Sequence, residues 1–313
     1  MPYRIKRKES IRAAVRRLAR EQNVQVIEGL RGNVTHQAAH AVRKSIKKAR
    51  ALLRLVWTRI EGKHRGRVID RVYRRAARQL NPIRDARVAI DTLEVLVERF
   101  GERSRHPDFR EIRQELLRAM KREARRFKQR KTAASIRPQL EKLTRQWKGL
   151  PLEKKGWRVL APGVNSAYRR ARKALSTVAS SPSDEKFHEW RKLTKDLWYD
   201  VRILERMRPE YMGGLAVKLE KLADHLGDDH DLVLLQDAAA RIECGAPDEI
   251  ELLNGLVSKR HSQLRVKALA LGEQIFAEKA SVFCDRLGRF WQAWRRKKPG
   301  GRWRMKSLRP ASP

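Results

Sequence analysis

A stripe of basic side chains with one histidine occurs twice in this chain, at residues 36–54 and 184–202. A shift of 148 residues aligns the two copies. Five aligned pairs have the same residue type: His40 and His188, Arg43 and Arg191, Lys44 and Lys192, Lys47 and Lys195, Arg54 and Arg202. Residues three, four, seven and fourteen positions apart lie on one side of an α-helix, so each copy predicts one cationic helix face.

Such a face suits the binding of an anion. Like-charged neighbours on a helix cost about 0.2–0.5 kcal/mol per pair, so stability alone does not favour the arrangement. A bound anion would offset that cost. Arginine can hold two phosphate oxygens at once, while lysine supplies a mobile point charge. Histidine adds a directional donor whose proton affinity rises beside a phosphate. The two stripes therefore predict a polyanion site.

The overall charge agrees with an anionic partner. The 313 residues carry 74 Lys and Arg against 36 Asp and Glu, a formal net charge of +38. The distribution is uneven, with 16 basic and 3 acidic residues in 1–60, 18 and 3 in 121–180, but 5 and 12 in 205–251. We therefore expect the cations to be concentrated on particular helices.

The elements that must position these residues are helices. Nearly every long segment has helical periodicity and alternating strand patterns are essentially missing, which predicts an all-α fold. Residues 108–130 form one long, very basic predicted helix. Glycine and proline predict breaks at Gly32-Asn33, 62–66, Asn81-Pro82, 101–107 and Pro138, and a central linker at 149–163.

The order of segments repeats along the chain. Residues 167–170 resemble residues 14–17, and LGDDHD at 226–231 aligns with LNPIRD at 80–85. We interpret this as duplication of a helical unit of about 150 residues. The predicted organisation is one domain over 1–296, with halves at about 9–148 and 160–296, and a basic flexible tail at 297–313.

Some residues allow two interpretations. Asp85 and Asp231 suit helix N-terminal positions, or they accept hydrogen bonds that orient a basic side chain. The basic faces with Arg122 and Arg126, and with Arg265, suit ligand contact or plain solvation. The cluster from His225 to Asp231 suggests a metal site only weakly, because the aligned segment of the first half has no histidine, and we predict no metal.

No constellation predicts catalysis. The chain has no phosphate-binding glycine loop, no nucleophile paired with a base and no acidic metal cage, so we expect a binding protein without a cofactor. No apolar run is long enough for a membrane span, and the N-terminus does not resemble a signal peptide. Cys244 and Cys284 form no recognisable pair motif, and a cytoplasmic location is the expectation.

These residues make the chain resemble the CHAD family, the conserved-histidine α-helical domains that bind inorganic polyphosphate. The signature helix, His-x-x-Arg followed by further basic residues, is matched by His40, Arg43, Lys47 and Lys48, and by His188, Arg191, Lys192 and Lys195. The companion Arg-Asp and Leu-Gly-x-x-x-Asp elements are matched by Arg84-Asp85 and by Leu226-Gly227 with Asp231. The resemblance spans residues 9–296. The second stripe departs from the pattern, because Asp196 and Trp198 stand where the first has Lys48 and Arg50.

The resemblance implies two four-helix bundles about a pseudo-twofold axis, with basic helices lining a central groove or pore. It also implies a polyphosphate-binding role in the cytoplasm, with association to polyphosphate granules. The predicted contacts are His40, Arg43, Lys44, Lys47, Lys48, Arg50, Arg54, His188, Arg191, Lys192, Lys195, Arg202, Arg122, Arg126 and Arg265. The predicted supporting residues are His36, Arg84, Asp85 and Asp231.

Two alternative functions remain open at this point. The charge and the basic tail also suit a nucleic-acid-binding protein, which normally stacks bases on aromatic rings near its cations. The cationic face of the first stripe has no aromatic residue and that of the second has only Tyr199, whereas Trp57 and Trp190 lie towards the apolar side. A helical factor that recruits acidic protein partners is the third class.

Overall fold

The computed structural model describes residues 3–32, 34–101, 109–242 and 247–296. Within these residues the chain is helical, without any strand, and the all-α prediction is confirmed. The helices are α1 Ile11–Gly29, α2 His36–Val56, α3 His64–Gln79, α4 Asn81–Gly101, α5 Arg110–Gln129, α6 Thr132–Lys148, α7 Trp157–Ser180, α8 Asp184–Leu204, α9 Pro209–Ala239, α10 Pro247–Ile275 and α11 Ala280–Arg296. Short 3₁₀ turns follow α2 and α8, and one isolated bridge pairs Ile60 with Leu152.

The two helices with the basic stripes are built alike. Each has 21 residues and begins at a hydroxyl cap, Thr35 before α2 and Ser183 before α8. The cap oxygen accepts a hydrogen bond from a backbone N–H of the first turn, which satisfies one of the free donors there. The apolar side of each helix is buried, as Ile46 and Leu197 show. Burial of that side turns the basic stripe away from the core.

The helices form two contacting groups of four. Helices α1, α2, α3 and α6 pack around one another, and so do α7, α8, α9 and α10. The pair α4 and α5 packs against α9, and α4 also touches α10. Helix α2 contacts both α7 and α8, which brings the two groups together at the stripes. The duplication and the central groove stay predictions.

Buried apolar side chains form two clusters, and each combines residues from both predicted halves. The larger cluster includes Ile46 and Leu53 together with Trp190 and Leu197. The smaller cluster joins α4 and α5 to the end of α9 and to α10. The boundaries of the two halves, 9–148 and 160–296, and of the domain, 1–296, stay predictions.

Two predicted breaks differ from the structure. The predicted break at Pro138 is wrong, because Pro138 lies inside α6. The break between α5 and α6 lies at Lys131, which has a φ of 47°. The predicted linker 149–163 is too long, because α7 begins at Trp157 and contains Pro162. Proline cannot donate to the carbonyl four residues back, that of Arg158, and the Arg59 guanidinium donates to it instead at 3.1 Å.

The remaining predicted breaks have different outcomes. The breaks at Gly32 and at Asn81-Pro82 are confirmed, because Gly32 follows α1 and α4 begins at Asn81. The prediction that Gly66 bounds a break is wrong, because Gly66 lies within α3, where a Cβ would touch the ring of Trp57. Apart from Gly101, the predicted loop 101–107 lies outside the described residues, as does the tail 297–313. Among the helices described, none combines the length and apolar character that crossing a membrane requires.

Candidate functional site

Five basic side chains from three helices meet between α2, α4 and α8. Arg43 and Lys47 come from α2, Arg84 from α4, and Arg191 and Lys195 from α8; we call these five residues the central cation cluster. All five are half-buried. The charges of the other four all act on Lys47, which places them within electrostatic range of one amine. The structure therefore brings together the middle of both predicted stripes.

Lys47 shows the cost of this arrangement most clearly. The pKa of Lys47 is lowered to about 7, mainly by burial and then by the charges of Arg191 and Arg43. An ordinary lysine has a pKa of about 10.4. Near neutral pH, Lys47 is therefore only about half protonated when no anion is present. An anion placed beside it would raise its pKa again.

The guanidinium groups of Arg43 and Arg191 have N–H groups that no carboxylate of the described residues occupies. Arg43 donates from Nη1 to the backbone carbonyl of Ala77 at 2.8 Å and to the side-chain oxygen of Asn81. Arg191 lies against Gly227 of α9, where a Cβ would stand 3.5 Å from its Nε. Among the described residues neither group has a carboxylate within ion-pair distance, and Arg191 Nε is buried with no hydrogen-bond partner there.

Arg84 has the opposite surroundings. It donates to Asp85 at 2.9 Å and to Asp231 at 2.8 Å, and its side chain is 13% exposed. Burial acts to lower its pKa, but Asp231 and Asp85 outweigh that effect and raise it. Asp231 lies in the middle of α9, so helix capping does not apply to it. Both aspartates thus accept hydrogen bonds from a basic side chain, as the second of the two interpretations of the sequence expects.

These aspartates also adjoin the two less neutralised arginines. Asp85 acts electrostatically on Arg43, and Asp231 acts on Arg191. Lys195 has a carboxylate of its own, Asp224, at 3.6 Å. Cations nevertheless outnumber the carboxylates around the cluster, which leaves an excess of positive charge.

Two histidines near the cluster, His188 and His230, are neutral at pH 7 in this arrangement. The rings of His188 and His230 lie 3.9 Å apart. Burial, followed by neighbouring positive charge, lowers the pKa of His188 to about 3 and that of His230 to about 4. His188 and His230 can therefore accept or donate one hydrogen bond per nitrogen without adding charge. Desolvation, then Lys47 and Arg84, lower the pKa of His40.

His230 is absent from the residues predicted as contacts. Its position could have been found from the repeat, because the same 146-residue shift that aligns Asp85 with Asp231 aligns Arg84 with His230. The sequence predicts a supporting role only for Asp231 of that segment. Within the described residues, no three His, Cys, Asp or Glu side chains are grouped so that they could hold a metal ion.

The ends of the two stripes are engaged by other side chains. Arg50 pairs with Asp70 at 2.9 Å, Arg54 pairs with Asp196, and Arg202 pairs with Glu205 at 3.3 Å. Lys48 lies over the ring of Tyr3, 5.6 Å from its centre. Lys44 is exposed, and Lys192 pairs with Glu189 at 3.3 Å. Only the middle of each stripe contributes to the central cation cluster.

Three further predicted contacts and one supporting residue lie elsewhere. Arg126 pairs with Glu123 at 2.8 Å and lines, with Arg122, a cavity of mixed charge beside α5. Arg265 binds Asp229 at 2.8 Å and also pairs with Asp184. His36 is exposed at the start of α2 and lines a second cavity.

The departures of the second stripe have structural roles. Asp196 accepts a hydrogen bond from Arg54 and so links α8 to α2. Trp198 packs under Lys195, whose amine lies 4.5 Å from the ring centre, and Arg202 lies 5.7 Å from it. Trp198 and its neighbour Tyr199 are 7% and 4% exposed, so neither offers a ring face for stacking from solvent.

Comparison with known proteins gives the fold and the family of this chain. The solved structure of PptA from Streptomyces chartreusis is similar with a TM-score of 0.60, over 83% of this chain and 96% of that one, at 17% identity. At that identity the similarity shows a common fold. No curated protein matches the sequence. The model of the CHAD domain matches residues 9–240, from just before α1 to the end of α9. A match over most of its length means that this chain belongs to the CHAD domain family.

Proposed function

We propose that this protein binds inorganic polyphosphate at the central cation cluster and catalyses no reaction on it. One observation carries the proposal. Two half-buried guanidinium groups, those of Arg43 and Arg191, stand on contacting helices with no carboxylate bound among the described residues. The buried Nε of Arg191 has no hydrogen-bond partner there, which is costly, and a phosphate oxygen would accept its hydrogen bond. Membership of the CHAD family relates the chain to polyphosphate and supports the choice of anion.

A linear ligand suits the layout of α2. Lys47 lies seven residues after His40 on the helix, with Arg43 between them, so these side chains span a rise of about 10 Å. That length exceeds a single phosphate group and favours a chain of them. Arg191 and Lys195 would contact the same chain from the side of α8. Histidines that are neutral in the free protein would become better donors as a polyanion raises their pKa.

The surroundings of the cluster support binding without catalysis. Asp85 and Asp231 are engaged by Arg84, which leaves them poorly placed to act as bases or to hold a metal ion. Arginine side chains stay protonated and cannot transfer protons. Arg43 and Arg191 would therefore bind a phosphate chain as hydrogen-bond donors and fixed charges.

Competition with nucleic acids tests the proposal directly. Labelled long-chain polyphosphate is bound to the protein at about 0.15 M salt, near physiological ionic strength, and displaced by unlabelled polyphosphate, RNA or single-stranded DNA. We expect polyphosphate to displace the label at a lower phosphate concentration, because the only aromatic rings on the second stripe are buried. Equal or better displacement by nucleic acid would refute the proposal.

A pH dependence of affinity follows from Lys47. Its pKa of about 7 arises from burial and from Arg43, Arg84, Arg191 and Lys195, which face it from three helices. Binding a polyanion above pH 7 must therefore take up a proton at Lys47. We expect affinity to rise as pH falls from about 9 to 7, by up to about tenfold per pH unit. Polyphosphate dissociation constants measured across that range at constant ionic strength give the slope.

The variant Lys47→Arg identifies the group responsible. Arginine stays charged, so the slope between about pH 9 and 7 should disappear while affinity at the high-pH end increases. Lys44→Arg is the matched control, because Lys44 is an exposed lysine of the same helix, and this variant should keep the slope. A slope that persists unchanged in Lys47→Arg would show that Lys47 does not take up the proton.

A further inference from the structure

A second cavity lies where the end of α1, the start of α2, and helices α5 and α6 meet. Its volume is about 600 Å³, within the range of small-molecule sites. Its floor is apolar: Leu30, Val34 and Ile83 are buried, and Met120 and Phe127 are half-buried. It shares no residue with the central cation cluster.

The rim of this cavity is cationic. Five basic residues line it, three from α5 and two from the start of α6 or just before it: Lys121, Arg125, Lys128, Lys131 and Arg137. Within the part of the chain that the structure describes, no aspartate or glutamate lines the cavity. Among the described residues only Arg137 has an ion-pair partner, Glu141 at 3.6 Å, and that contact is exposed. The rim therefore carries positive charge that nothing at the cavity neutralises.

The other face of α5 provides a contrast on the same helix. Arg122 and Arg126 line the cavity of mixed charge, which also contains Glu115, Glu123 and Asp237. The α5 face with Arg122 and Arg126 resembles an ordinary solvated helix face, in which cations and carboxylates are interspersed. The absence of carboxylates along Lys121, Arg125 and Lys128 distinguishes the face towards the second cavity.

The start of α6 adds partial positive charge. No side chain caps the helix, because the residue before it is Lys131, with a φ of 47°. Thr132, Ala133 and Ala134, whose backbone N–H groups begin the helix, line the cavity. Free N–H groups at a helix start favour an anion. This partial charge adds to the positive charge of the five basic side chains.

The apolar floor and the cationic rim together select the class of ligand. Bare polyphosphate would gain nothing from covering the half-buried side chains of Met120 and Phe127. A neutral apolar molecule would gain nothing from the rim. We infer that the second cavity binds an organic phosphate, with its phosphate head on the cationic rim and its apolar body on the floor. A nucleotide and a lysophospholipid share this chemistry.

Two double variants of α5 test the inference. Lys121→Glu/Lys128→Glu reverses two charges at the second cavity, and Arg122→Glu/Arg126→Glu makes the same change in charge on the other face. Binding of ATP and of lysophosphatidate below its micelle concentration is measured by calorimetry. We expect the first variant to lose about 30-fold or more in affinity for the preferred probe, and the second less than about 3-fold. Whichever probe binds more tightly identifies the source of the ligand.

Inorganic tripolyphosphate tests the role of the floor. All probes can also contact the central cation cluster, so the difference between the two double variants is the relevant quantity. Ala124→Trp, at an exposed position lining the cavity, fills the space without changing charge. This variant should weaken the binding of ATP or lysophosphatidate by about tenfold and change the affinity for tripolyphosphate by less than about 3-fold. Equal losses in both double variants, or a tripolyphosphate affinity that matches both organic probes, would overturn the inference.

Discussion

Replacing Arg43 and Arg191 by glutamine is expected to weaken polyphosphate binding by about 100-fold or more. Each arginine would lose a charge-assisted contact of about 1.5–3 kcal/mol, and the two contacts come from different helices on one ligand. Glutamine retains a donor, so the hydrogen bond of Arg43 to the carbonyl of Ala77 can be replaced in part. Polyphosphate titration at fixed salt measures the change.

The repeat offers a matched control for this variant. Arg16 and Arg169 occupy corresponding positions of α1 and α7, and both are exposed. Arg16→Gln/Arg169→Gln removes the same two charges and should change affinity by less than about 3-fold, since exposed charges are screened by salt. Thermal unfolding of both variants separates loss of the site from loss of the fold. Equal weakening by the two variants would mean that overall charge, and not the central cation cluster, holds the ligand.

Lys47→Met should stabilise the free protein while it weakens polyphosphate binding by about tenfold or more. The folded state holds Lys47 half-buried among four cations, and burial dominates the lowering of its pKa. Methionine has a similar length and carries no charge, so it removes both the desolvation and the repulsion. A gain of about 1 kcal/mol in the free energy of unfolding is the expected size. Denaturant titration measures it.

The stabilisation should depend on pH with a definite sign. Between the folded pKa of about 7 and the unfolded value of about 10.4, the unfolded protein binds more protons at Lys47, so parent stability rises with pH. The advantage of methionine is therefore greatest below about pH 7 and fades towards pH 10. Lys44→Met, at an exposed position of the same helix, is the control and should show neither effect. A less stable Lys47→Met protein would contradict the proposed cost.

Local periodicity accounts for what the sequence predicts well. The stripes of α2 and α8 depend on spacing within one helix, and their apolar sides are buried as expected, for example at Val42 and Val201. Helix capping by Thr35 and Ser183 is equally local. The middle of each stripe, Arg43 with Lys47 and Arg191 with Lys195, follows from the repeat without knowledge of the packing.

Contacts between distant segments account for what the sequence could not predict. The pairing of Arg84 with Asp231 joins residues 147 positions apart, and Arg54 with Asp196 joins residues 142 apart. These pairs decide which cations remain available, and no pattern within one helix reveals them. The same holds for Pro162, whose place inside α7 depends on the Arg59 guanidinium that bonds the carbonyl of Arg158.

Both buried clusters draw on segments from each side of residues 149–156. Neither the part of the chain before this connection nor the part after it supplies all the residues of either cluster. Contacts between the two parts therefore contribute to the free energy of folding. A ligand that bridges α2 and α8 binds only the folded arrangement in which both helices are in place, so it would raise the melting temperature.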